Sequence, residues 1–133
     1  MSNATLKPTE PPPHSPWGHP DVVKRLCEGV YHVATPTHGG MWVAPEAQAI
    51  IAERVPGYVP FAHRSNPHGT ICWYEEDLDW VVPAVVLADR FAAEGSLTHL
   101  QAKDKAIALR GRVSLVTKQP IYPDALYDLI DAE

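Results

Sequence analysis

The sequence predicts an α+β fold: a small antiparallel sheet of three or four strands with three or four helices packed on one side. Three observations carry this. The β-branched runs cluster early, at Val22-Val23 and Val30 to Val33, and are split by a two-residue link, Glu28-Gly29. Apolar residues at helical spacing dominate from residue 45 onward, in segments bounded by proline or glycine. A chain of 133 residues, 45% apolar and 20% charged, suits one hydrophobic core.

Residues 1–16 read as a disordered or draped leader, and residues 17–133 as a single globular domain. Pro8, Pro11, Pro12, Pro13 and Pro16 hold the leader extended and remove backbone donors. Trp17 is expected to plug into the domain. Val22 to Cys27 and Val30 to Ala34 are expected to form a hairpin across Glu28-Gly29, preferred for its β-branched runs over a short helix opened by Pro20 and closed by Gly29. Thr35-Pro36-Thr37-His38-Gly39-Gly40 interrupts the sheet, and Met41-Trp42-Val43 makes a third strand. Pro45 and Glu46 suit a first helical turn, so a helix runs from 45 to 54 and stops at Pro56-Gly57.

Residues 57–70 read as loop and Thr70 to Tyr74 as a strand. A helix then starts near Asp79, with Asp79 as its N-cap, and tolerates Pro83 within its first turn. Gly95 ends it. Ser96 caps the next helix, whose core contacts are expected to be Leu97, Leu100, Ile107 and Leu109. Val113 to Thr117 reads as an edge strand. Pro123-Asp124 opens a last helix bearing Ala125, Leu126, Leu129 and Ile130.

The net charge of −5 disfavours direct nucleic-acid binding, which needs a basic face, and suits a partner with a basic surface. No run of roughly 20 apolar residues is present, so no membrane span is expected. The start Met1-Ser2-Asn3-Ala4-Thr5 lacks the basic and apolar pattern of a signal peptide, and a cytoplasmic location is expected. Cys27 and Cys72 lack metal or redox spacing and are expected to be reduced.

Two stretches carry the candidate chemistry. Around Thr37, His38, Gly39 and Gly40, paired glycines let backbone approach a ligand or turn with positive φ, and free N–H groups could hold an anion. In Trp73-Tyr74-Glu75-Glu76-Asp77-Leu78-Asp79-Trp80, rings that seek burial bracket four carboxylates that seek water or a cation. Glu75, Glu76, Asp77 and Asp79 fit either a helix N-terminus or a rim facing a basic partner. The seven histidines show no zinc spacing, so neither metal nor cofactor is expected. Two readings stay open. One is a non-catalytic binding protein acting through both stretches. The other is a small hydrolase or transferase using His38 as acid/base, oriented by Glu75, Glu76 or Asp77.

Pro16-Trp17-Gly18, the Thr35 to Gly40 turn and Trp73-Tyr74-Glu75-Glu76-Asp77 with Trp80 together resemble an uncharacterised family of bacterial domains met in phage and plasmid genes. The resemblance spans residues 16–92. It implies a mobile-element accessory protein in a bacterial cytoplasm, binding a host protein, defence proteins included, or a small ligand such as a signalling nucleotide. It implies no reaction, and it leaves self-association open.

Overall fold

The computed structural model describes residues 9–65 and 69–132. The leader expectation for residues 1–8 therefore lies outside the described residues. The order is β1 (Val22–Cys27), β2 (Val30–Ala34), β3 (Gly39–Val43), α1 (Pro45–Arg54), α2 (Phe61–Ser65), β4 (Trp73–Glu75), α3 (Val81–Val86), α4 (Ala88–Ala93), α5 (Thr98–Ala108) and α6 (Asp124–Asp131). The four strands form one antiparallel sheet in chain order, and the helices pack against it. This is the expected α+β arrangement, with more and shorter helices than expected.

Alternation along the strands separates two apolar clusters. Met41, Val43 and Tyr74 face the helices and join Ile51, Val81, Val82, Phe91 and Leu126 in the main core. Each such fully buried side chain stabilises the fold by about 1.5–3 kcal/mol. Trp42 points the other way and gathers Val33, Ala44, Tyr31, Cys72 and Trp73 on the opposite face. A register shift between Arg25 and Cys27 turns Cys27 inward beside Val30. Burial pushes the Cys27 thiol up to about 11, so it stays protonated at neutral pH.

Several local expectations are corrected. Gly39 and Gly40 are not a bend. They start β3, opposite Ala34 and Val33, and neither has a positive φ. The 57–70 stretch contains α2, and β4 begins at Trp73 rather than Thr70. The helix expected from Asp79 is a turn followed by α3 and α4, divided at Leu87. Val113 to Thr117 is no edge strand; it belongs to a loop closed by a bridge from Val113 to Pro120.

In α5 three of the four expected core contacts are wrong; the fourth, Leu109, packs partly buried against the main core. Ala102 and Ala106 are the residues α5 buries, while Leu97, Leu100 and Ile107 are exposed. The small alanine face lets α5 sit closely on α3, and the Tyr127 hydroxyl donates to the Ala106 carbonyl at 2.7 Å. Spacing alone cannot tell which of two faces turns inward when one is alanine and the other leucine.

Candidate functional site

Strand pairing brings the two candidate stretches together. Gly40 lies opposite Glu75 in the β3–β4 ladder, and the Glu76 N–H donates to the Gly39 carbonyl at 3.0 Å. The Thr35 to His38 turn therefore sits beside the acidic turn at one end of the sheet. Thr35 closes its own turn, donating through its hydroxyl to the His38 carbonyl at 2.9 Å and accepting from the His38 N–H at 3.2 Å. Thr37 and His38 are left exposed at the tip.

The glycines explain the close approach. A Cβ on Gly40 would collide with the Tyr74 carbonyl oxygen and stand 2.7 Å from the ring of Trp17. On Gly39 it would stand 2.8 Å from the Val33 carbonyl. The Trp17 ring lies over Gly40 and meets Trp73 edge-on, with centroids 5.6 Å apart. Ser15 and Gly18 exchange backbone bonds of 3.0 and 3.1 Å, which closes the turn that presents Trp17.

The four carboxylates have three different fates. Asp79 is wholly buried. One oxygen accepts from the Tyr58 hydroxyl at 2.8 Å and the Phe61 N–H at 2.9 Å. The other accepts from the Ala62 and Glu75 N–H groups, both at 3.1 Å. Asp79 thus caps α2, not the helix that follows it, and ties α2 to β4. Burial holds its carboxyl above the ordinary value, while the four donors pull the other way. Burial, with the Asp79 charge beside it, also raises the Tyr58 phenol, which stays a donor.

Glu75 is spent on its own turn. Its carboxylate accepts from the Asp77 N–H at 3.1 Å, the Leu78 N–H at 2.7 Å and the Asp79 N–H at 3.4 Å. Glu76 and Asp77 are exposed. The His38 ring makes no hydrogen bond or ion pair to any described residue. Tyr74 is buried and donates to Gln48 of α1, and Trp73 is half-buried beside Trp17. Among the described residues no group of three or more His, Cys, Asp or Glu is placed to hold a metal ion.

A groove of about 470 Å³ runs through this region. Trp17, His38, Glu75 and Asp77 line it together with Phe61, Leu78 and Val116. Sequence reading missed Phe61, Leu78 and Val116. Phe61 stood in an apparent loop, and Val116 in an apparent strand. The one available signal was an aliphatic pair, Leu115-Val116, far from any helical stripe.

A family model described as a domain of unknown function, DUF7007, matches residues 10–111. The chain belongs to that family. No curated protein and no solved structure matches it. The DUF7007 span holds the whole sheet, α1 to α5, Trp17, His38 and the acidic turn. Val116, one wall of the groove, comes from the segment after that span. No helix among the described residues is long and apolar enough to cross a membrane.

Proposed function

We propose that this DUF7007 chain is a non-catalytic binding protein, and that its groove takes an aliphatic side chain flanked by a basic one on a partner protein. The observation that carries this reading is the engagement of Glu75. An acid/base pair needs a carboxylate that orients the imidazole; both Glu75 oxygens are already bonded to backbone N–H groups, and among the described residues no hydrogen bond joins the His38 ring to Glu76 or Asp77. Asp79 is likewise consumed. What remains in the groove is apolar area from Trp17, Phe61, Leu78 and Val116, with Asp77 and neighbouring Glu76 free in solvent. Rings supply anchor area and the free acids select a basic neighbour.

The setting we assign is a phage- or plasmid-borne accessory protein that occupies a host protein with a basic surface. It is supported by the motif resemblance and by the charge of −5. The test is capture from bacterial lysate with wild type, Trp17→Ala and Asp77→Lys proteins, read by mass spectrometry. A basic partner retained by wild type and lost from both variants supports the reading. The same proteins captured by all three contradict it. Hydrolytic or transferase activity abolished by His38→Ala would favour the catalytic alternative.

A further inference from the structure

Leu115 and Val116 are 88% and 83% exposed, the highest values among the exposed large apolar side chains of the described residues. They are held out by a knit loop. The Val113–Pro120 bridge closes its base, and Ser114 N–H donates to the Gln119 carbonyl at 2.8 Å. The Ser114 hydroxyl oxygen accepts from the N–H groups of Val116 and Thr117, each at 3.2 Å. Lys118 adopts φ 63, a left-handed conformation uncommon for a non-glycine residue, and its N–H returns to the Ser114 carbonyl at 3.0 Å. Two aliphatic side chains fixed in water by this many bonds form a preorganised ridge.

The ridge stands between two hollows. Val116 lines the 470 Å³ groove described above, Thr117 and Gln119 line a neighbouring cavity of about 350 Å³, and Ser114 borders both. A convex apolar ridge beside a concave apolar groove on one face is self-complementary under a two-fold axis. The charges agree. The ridge carries exposed Lys118, and the groove wall carries Asp77 with exposed Glu76 beside it.

We propose that two copies of this chain associate through a two-fold axis, the Leu115-Val116 ridge of each entering the groove of the other, with Lys118 facing the acidic turn. This rests on the groove being a docking surface for an aliphatic residue with a basic neighbour. Leu115-Val116-Thr117-Lys118 is such a segment within the chain itself. The outside partner then competes with the second copy for one groove.

The test is analytical ultracentrifugation of the full chain over concentrations up to about 200 μM, a range that detects dissociation constants in the micromolar class. Wild type is expected to dimerise, and Leu115→Ser with Val116→Ser to weaken the dimer at least tenfold. The ridge is exposed, so these variants keep the fold, which circular dichroism checks. Lys118→Glu and Asp77→Lys each place like charges at both reciprocal contacts and are each expected to be monomeric. Mixed one to one, they restore an opposite pair at both contacts, and a heterodimer is expected. A monomeric wild type overturns the proposal. So does a dimer that survives the ridge variants but is broken by Leu100→Ser on α5. A monomer that still loses its lysate partner on Asp77→Lys rejects the dimer alone, whereas loss of both behaviours rejects the groove.

Discussion

Replacing Asp79 by Asn removes one charge and keeps the shape, which makes it a sharp probe of the acidic turn. Four donors converge on two oxygens: the Tyr58 hydroxyl and Phe61 N–H on one, the Ala62 and Glu75 N–H groups on the other. An amide offers one oxygen and one NH2. Turned toward Ala62 and Glu75, its NH2 would orphan two N–H groups. Turned toward Tyr58, it lets the hydroxyl rotate and accept, with the hydroxyl proton turned away, and takes the carboxylate acceptor from the Phe61 N–H. One orphaned buried donor costs about 1–3 kcal/mol, and the surviving bonds lose charge assistance worth about 1 kcal/mol. The expected loss is therefore about 2–4 kcal/mol, a large share of the roughly 5–15 kcal/mol of a whole domain. Urea unfolding at pH 7 should show a lower midpoint at unchanged slope, and melting should fall by about 10 °C. Glu76→Gln, on the exposed part of the same turn, should change stability by less than about 0.5 kcal/mol. Equal small effects from the two substitutions would refute the claim that Asp79 is a structural hub and Glu76 a free rim acid.

Other outcomes follow from the same geometry. Gly40→Ala should destabilise by about 1–3 kcal/mol or more, because the new methyl meets the Tyr74 carbonyl and the Trp17 ring; near-ultraviolet dichroism should change with it, and a neutral result would remove the close-packing account. Trp17→Ala should cost about 1–3 kcal/mol, less than a fully buried tryptophan because Trp17 is half-buried, and should weaken partner capture more than stability loss explains. Glu46 pairs with Arg90 at 2.6 Å, and that hydrogen bond holds its carboxyl below the ordinary value. Its contribution is then present above the ordinary carboxylate range and is lost as pH falls through the lowered folded value. The stability gap between wild type and Glu46→Gln, by denaturant midpoints, should close on acidification; a constant gap would contradict the pairing. The pair is half-exposed, so the gap at pH 7 should be no more than about 1 kcal/mol.

The hairpin, α1 and α6 were legible because their signals are local: β-branched alternation around Glu28-Gly29, Pro45 with Glu46 at a helix start, and Pro123-Asp124 before an amphipathic stripe. The α+β class followed from them. The role of Gly39 and Gly40 was not legible, since glycine at a positive φ and glycine under a tryptophan read alike in sequence. Here the space is filled by Trp17, 23 residues before Gly40 in the chain. Asp79 was recognised as a helix cap but given to the wrong helix, because its donors lie 17 and 18 residues upstream. Within the acidic turn, sequence could not separate the buried acid from the bonded one and the two free ones. That division depends on which N–H groups the turn leaves unpaired. The β3–β4 register brings the His38 and Asp77 segments to one groove.

The most direct test of the groove as a docking surface is an NMR titration of the labelled protein with two capped peptides, Leu-Val-Thr-Lys and Leu-Val-Thr-Glu. The account predicts that the lysine peptide moves the Trp17 indole and the His38, Asp77 and Leu78 amides, and that the glutamate peptide leaves them in place. Equal responses to both peptides, or shifts confined to the leucine face of α5, would contradict it.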